Sequence, residues 1–321
     1  MIFLLSFISS LFFFFLFFLT TLKAADLLST KNCDQLLSPE DRFGLLGFPV
    51  AHSLSPRMHH AAFGAAHLPY CYLPIEVRPE ELEQTLQKLL ALGFLGLNIT
   101  TPYKKAVIPY LDEVSHHAQF LGAVNTILMT EGRLLGYNTD GPGLVMALKE
   151  TWNLPLPAQR ILILGASGGA GGAMAAQSIL EGCCKLILAS RTPATLEPQV
   201  RALSEYVAEA ISIEAVELSE QALSMVMPHV DLIINATPPS ATSNDAPLIP
   251  SYLFHKNHYF YDMVYSSSRT ALMKSAMNAG AQVSNGLSML LYQGALAFQQ
   301  WLDRPPPLEA MKKALTDASL T

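Results

Sequence analysis

Short apolar runs recur along the chain, separated by stretches with helical spacing. FGLLGFPV (43–50), a short apolar run, reads as a buried strand, and YCYLPIEV (70–77) and FLGLNIT (94–100) read as a second and a third strand. Between the first two, Ser55-Pro56 opens a helical stretch, with Ser55 as N-cap and Pro56 at the first helical position. In 79–93, Leu82, Leu86, Leu89 and Leu90 fall at helical spacing, acids fill the first turn and Gly93 closes the helix. Residues 123–139, AVNTILMTEGRLLGYNT, read as a hairpin around Glu131-Gly132. Beyond residue 140 the alternation becomes regular. RILILG (160–165), KLILAS (185–190), ISIEAVEL (211–218), DLIINAT (231–237) and YFYDMVY (259–265) are strands separated by helices, the pattern of a parallel, doubly wound sheet. GLSMLLYQGALAFQQWL (286–302) is a long helix with an apolar face. The expected fold is α/β, in two units.

Composition narrows the function classes. A length of 321 residues suits two domains. Only 14% of residues are charged and 50% are hydrophobic, which excludes a disordered chain. A net charge of −6 speaks against a nucleic-acid partner, which would call for a basic footprint. The four cysteines, Cys33, Cys71, Cys183 and Cys184, form no C-x-x-C pair, so neither a zinc ribbon nor a dense disulfide framework is expected. Cys183-Cys184 reads as buried packing at a helix end. His59-His60 and His116-His117 lack acids at ligand spacing and read as packing or surface histidines, so no metal is expected.

The apolar excess is local. Residues 1–22 carry no charge and hold eight of the sixteen phenylalanines. That length can span a bilayer, but the segment lacks the basic start of a signal peptide. It reads either as a membrane anchor or as a leader ahead of a mis-assigned start, and 23–41 reads as a linker. A membrane partner is expected only in the first case.

Several motifs carry chemistry. The strand ending at Gly165 runs into Ala166-Ser167-Gly168-Gly169 and then a helix of small residues. Strand, glycine turn and helix form the context of a dinucleotide-phosphate site, although Ser167 and Ala170 stand where the strict fingerprint has glycine. The next strand ends in Ser190-Arg191-Thr192 with no acid before Glu197, which favours a 2′-phosphate and hence NADP. Asn98-Ile-Thr100-Thr-Pro-Tyr-Lys104-Lys105 places polar groups at the exit of a buried strand, where one lysine of the pair can enter a cleft for acid/base work. Asn138-Thr-Asp140-Gly sits at the junction of the two units. Its acid either works with that lysine or caps the following helix.

Together these segments resemble the shikimate dehydrogenase family, from about residue 43 to the end. Ser53-x-Ser55-Pro56, Asn98-x-Thr100-x-Pro102-x-Lys104, Gly122-Ala-Val-Asn125-Thr, Asn138-Thr-Asp140-Gly, Tyr261-Asp-Met263-Val-Tyr265 and Met289-Leu-Leu-Tyr-Gln293 are similar to its ordered motifs. The resemblance implies an N-terminal α/β substrate domain (42–139 with 287–321) and a Rossmann-like, doubly wound NADP-binding domain (140–286). It implies Lys104 and Asp140 as the catalytic pair. Ser53, Ser55, Thr100, Asn125, Tyr265 and Gln293 would bind the substrate, with Asn98 shaping the same pocket. Gly165, Ala166, Ser167, Gly168, Gly169, Ser190, Arg191, Thr192, Met263 and Gly286 would contact NADP. The implied activity is reversible, NADP-dependent reduction of 3-dehydroshikimate to shikimate, a cytoplasmic step toward chorismate and the aromatic amino acids. A homodimer is compatible with it. The chain departs from the family pattern at Ser167, at Ser190 and at Thr195, where the family carries a second arginine. The rivals are a quinate/shikimate dehydrogenase using NAD and a non-catalytic NADP- or metabolite-sensing relative. Intact Lys104 and Asp140 speak against the sensor.

Overall fold

The structure, a computed structural model, describes residues 41–207, 210–238, 248–265 and 269–319. The readings of 1–22 and of 23–40 lie outside these residues. Among the described residues no helix is long and apolar enough to cross a membrane.

Two six-stranded sheets organise the chain. The first contains β1 (Asp41–Gly47), β2 (Cys71–Glu76), β3 (Gly96–Ile99), β4 (Glu113–Val114), β5 (Thr126–Thr130) and β6 (Arg133–Tyr137). Its order is β2-β1-β3-β5-β6-β4. Only β5 runs antiparallel to its neighbours, pairing with β3 and, across the expected hairpin, with β6. The second sheet contains β7 (Arg160–Leu164), β8 (Lys185–Ser190), β9 (Ser212–Glu217), β10 (Leu232–Asn235), β11 (Tyr259–Asp262) and β12 (Gln282–Ser284). All its pairings are parallel, in the order β12-β11-β10-β7-β8-β9. The strand order reverses between β7 and β10, and the crevice beyond the carboxyl ends of those two strands is where such sheets bind ligands.

The helices are α1 (Ser55–Ala65), α2 (Leu82–Ala91), α3 (Tyr103–Ala106), α4 (His116–Leu121), α5 (Asp140–Trp152), α6 (Gly169–Leu180), α7 (Glu197–Val207), α8 (Glu220–Val226), α9 (Ala271–Asn278), α10 (Leu287–Leu302) and α11 (Leu308–Ser319). Helix α10 packs its buried face, including Leu291, Phe298 and Trp301, against Phe43, Met58 and Phe63 of the first unit. Trp301 Nε1 donates to Ile127 O of β5 at 2.9 Å, which fixes the far end of α10 on the first sheet. Met311 and Leu315 of α11 join the same core.

Three local expectations are corrected. Ser55 is not the N-cap of α1. It lies inside the first turn, Leu54 holds the cap position, and the Ser53 hydroxyl accepts the Ser55 N–H at 3.2 Å. The alternative of Asp140 as a cap also fails, because Asn138 does that work: its Oδ1 accepts the N–H groups of Asp140 and Gly141 at 3.0 and 3.3 Å. The adjacent cysteines part company. Cys183 is buried, whereas Cys184 is exposed and its thiol donates to Ala158 O at 3.1 Å.

Two histidines are locked neutral in the core. Burial, reinforced by the neighbouring His60, pushes His59 down to about 3, and its ring stacks on Tyr72 at 4.5 Å. Burial, with His255 stacked on it, pushes His258 down to about 4. His258 Nδ1 accepts the His255 N–H, so its proton sits on Nε2 and points to Met227 O. Both folded values lie below the usual 6.5, so the unfolded chain binds the extra protons. This stability is whole above pH ~6.5 and drains as pH falls toward the folded values. His59 alone contributes a slope of up to about 1.4 kcal/mol per pH unit. Urea midpoints should therefore fall between pH ~6.5 and ~5, above the range where most carboxylates titrate, and His59→Phe should make that fall visibly shallower. An unchanged slope in the variant would contradict the assignment.

Candidate active site

The site forms where the two sheets face one another. Tyr103 anchors the one-turn helix α3: its ring is buried and its hydroxyl donates to Val77 O. The next residue, Lys104, turns toward the cleft and Lys105 toward solvent. Lys104 Nζ donates to Asp140 Oδ2 at 2.6 Å, and the two side chains are only 16% and 6% exposed. Asp140 is the first residue of α5, where the helix N-terminus favours a carboxylate. Asn138 fixes the approach, with its Nδ2 donating to Ala123 O at 2.8 Å.

A cavity of about 160 Å³ surrounds this pair. Its polar lining is Ser53 and Ser55 at the start of α1, Asn98 and Thr100 at the end of β3, Asn125 before β5, Tyr265 after β11 and Gln293 on α10, together with Lys104 and Asp140. Met263 and Gly286 complete it, and Leu45, Ile99, Met289 and Leu290 form apolar walls. Every residue expected to act in catalysis or on the substrate therefore lines one cavity. A wider space of about 550 Å³ shares Leu45, Ser53, Thr100, Met263 and Tyr265 with it, so the two are continuous. That space is mostly apolar and reaches Ala170 on α6 and Thr237 after β10.

The glycine turn fits a dinucleotide. Gly165 follows β7 with φ +76°, and α6 starts at Gly169 with no side chain capping it. A Cβ on Gly171 would stand 2.4 Å from Gly165 O and 2.9 Å from Ala166 Cα, so the tight turn excludes any side chain there. The free N–H groups of the first turn suit a diphosphate. Ala166 is buried under the turn, and Ser167 and Gly168 are exposed on it. Gly169 faces the lysine, since a Cβ there would lie 3.5 Å from Lys104 Cβ. On the adjacent strand end, Ser190 is buried and its Oγ accepts the Thr192 N–H at 3.3 Å, leaving Arg191 and Thr192 exposed. Thr195 spends its hydroxyl on Thr192 O at 2.7 Å.

Sequence reasoning gave no role to Tyr72, Thr126 or Thr139, all buried beside the cavity residues. The two threonines stand in Asn-Thr pairs, and that repeated pair was the available signal.

Comparison with known proteins agrees with this geometry. Residues 45–127 match the profile described as shikimate dehydrogenase substrate binding domain, and 286–316 match that of the shikimate 5′-dehydrogenase C-terminal domain. A protein of Carboxydothermus hydrogenoformans named shikimate dehydrogenase (NADP(+)) is 39% identical over 274 residues, covering 85% of this chain and 95% of that one. A shikimate dehydrogenase crystallised with NADP+ superposes with a TM-score of 0.79 at 36% identity, covering 88% of this chain and 97% of the other. The Thermus thermophilus shikimate 5-dehydrogenase, in complex with NADP(H) and shikimate, gives 0.76 at 36% identity over 87% and 99% of the two chains. With a matching fold, a lysine–aspartate cavity beside the glycine turn and near-complete coverage of its relatives, this chain belongs to the shikimate dehydrogenase family.

Proposed function

We propose that this protein catalyses the reversible, NADP-dependent reduction of 3-dehydroshikimate to shikimate. The observation that carries the reading is the 2.6 Å contact between Lys104 Nζ and Asp140 Oδ2 inside a cavity lined by hydroxyl and amide groups. The substrate is a small ring with one carboxylate and several hydroxyls. Ser53, Ser55 and Tyr265 offer hydroxyls to the carboxylate, while Thr100, Asn125 and Gln293 meet the ring hydroxyls. Lys104 supplies the proton that the new hydroxyl oxygen requires, and takes it back in the oxidative direction. Asp140 holds the ammonium by accepting from it, and receives the same substrate hydroxyl on its second oxygen. The apolar walls limit water in the cavity and strengthen these contacts.

The residues present fit NADP, which when bound supplies the hydride. The turn Gly165, Ala166, Ser167, Gly168 and Gly169 would hold its diphosphate, Ser190, Arg191 and Thr192 its 2′-phosphate, and Met263 and Gly286 the nicotinamide end. We assign 42–139 with 287–321 to substrate binding and 140–286 to the cofactor. The reading places the enzyme in the cytoplasm as a step toward chorismate and the aromatic amino acids, and it calls for no nucleic-acid or membrane partner.

The test is a spectrophotometric assay with shikimate against quinate and NADP+ against NAD+. Shikimate with NADP+ should give the highest kcat/KM, and activity with neither acid would refute the proposal. In the same assay Arg191→Ala should raise the NADP+ KM roughly ten- to a hundredfold, the worth of a hydrogen bond to a charged group. The NAD+ KM should barely move, and Thr195→Arg should tighten NADP+ by adding a second cation. Equal changes for both cofactors would remove Arg191 from the phosphate site.

A further inference from the structure

Behind the cavity lies a set of buried hydrogen bonds that ties two Asn-Thr pairs together. Asn98 Nδ2 faces Asn125 O and Thr126 Oγ1, both at 3.2 Å, so Asn98 Oδ1 is the acceptor for the Tyr72 hydroxyl at 2.7 Å. Asn125 Oδ1 accepts the Thr139 N–H at 2.7 Å and one threonine hydroxyl, that of Thr126 at 3.0 Å or that of Thr139 at 3.2 Å, which fills its two lone pairs. Asn125 Nδ2 donates to Thr139 Oγ1 at 3.0 Å and, more weakly, to Gln293 Oε1 at 3.4 Å. The other hydroxyl proton lies between Thr139 Oγ1 and Thr126 Oγ1, which are 3.1 Å apart and either of which can donate. Thr126 and Thr139 are 0% and 7% exposed, so no bulk water substitutes for these partners.

From this geometry we infer that Thr139 and Thr126 are positioning residues that set the Asp140 carboxylate against Lys104. Thr139 is the residue before Asp140, and its backbone and side chain are both tied to Asn125. Asn125 is in turn held by Thr126 and by the β3 residue Asn98. The first sheet thus grips the peptide that carries the acid. The same count shows what Asn98 and Asn125 retain for a ligand: one Oδ1 lone pair and one Nδ2 proton shared with Gln293. Both amides serve the frame more than the ligand.

This inference rests on the proposed function, and its test separates the two. In Thr139→Val and Thr126→Val the shape is kept and the hydroxyl lost. Each should lower kcat about ten- to a hundredfold, the scale of an ångström-sized misplacement of a catalytic group. The shikimate KM should change by less than about threefold on the same reasoning, and Thr139→Ser should restore kcat to within about threefold. Amide hydrogen exchange read at Thr139 and Asp140 should quicken in both valine variants at unchanged global stability, whether or not the enzyme turns over shikimate. Wild-type protein that ignores shikimate would defeat the functional reading alone. Valine variants with normal kcat and normal exchange, or a serine variant as impaired as the valine one, would overturn the inference. If Thr139→Val does not fold, Thr126→Val and Thr139→Ser decide it.

Discussion

Lys104→Ala is expected to lower kcat by roughly 10²–10⁴-fold, the range for loss of a general acid/base. Among the described residues the ammonium is the only cationic group lining the cavity, and its hydrogen-bond partner there is Asp140. Removing it leaves the new alkoxide without a proton donor and leaves a carboxylate that is 6% exposed without its counter-charge. The shikimate KM should rise far less, because the hydroxyl and amide lining persists. Lys105→Ala is the control. Its side chain is exposed to solvent and does not line the cavity, so kcat and KM should stay within about twofold of wild type, as for surface substitutions in general. Steady-state kinetics on the two variants settles the register: a crippled Lys105→Ala beside a healthy Lys104→Ala would reverse the roles given to the pair.

Strands β7, β8, β10 and β11 of the doubly wound sheet were legible because each is a short run rich in Ile, Leu or aromatic residues and largely buried. Strands β4 and β12 were not, because two and three residues of mixed polarity carry no period. The cap of α1 was misassigned by one position for a related reason. Ser53 and Ser55 are both cap-forming residues, and only the backbone path shows which hydroxyl meets which N–H. Cys184 was wrongly buried because the strand start turns one of two adjacent side chains outward. The site was legible in a different way. Lys104 and Asp140 are 36 residues apart, and Asn125 and Gln293 are 168 apart. No local spacing brings such residues together, so the order of motifs along the chain pointed to them and the fold explains them. Thr126 and Thr139 stayed hidden because a β-branched residue in or just after a strand needs no functional explanation. Their hydroxyl work is visible only once both Asn-Thr pairs face each other.

Gly286→Ala is expected to cost more than its size suggests, with kcat/KM falling about 10²-fold as cavity groups shift by an ångström. The backbone of Gly286 has φ −76°, open to any residue, so the demand for glycine there is one of space. An added Cβ would stand 2.3 Å from Met263 O and 2.7 Å from Met263 C, both backbone atoms that no rotamer change moves. Neither side yields easily. The Met263 segment is held by the buried Asp262, whose Oδ1 accepts the Val264 N–H at 3.1 Å and whose Oδ2 accepts the Thr270 hydroxyl at 2.6 Å. On the other side, the Tyr261 hydroxyl accepts the Met289 N–H at 3.0 Å and pins the first turn of α10. Relief must then displace either Met263 and Tyr265 or the helix that carries Gln293, and all three line the cavity. The packing strain should also lower stability by about 1–3 kcal/mol, as overfilled cores do. Gly64→Ala provides the comparison: it lies within α1 with nothing within 4 Å of the new Cβ, so activity should hold. Its stability should rise by up to about 1 kcal/mol, as for Gly to Ala inside a helix. Urea midpoints and kinetics measured on both variants test the argument, which fails if Gly286→Ala is as active and as stable as Gly64→Ala.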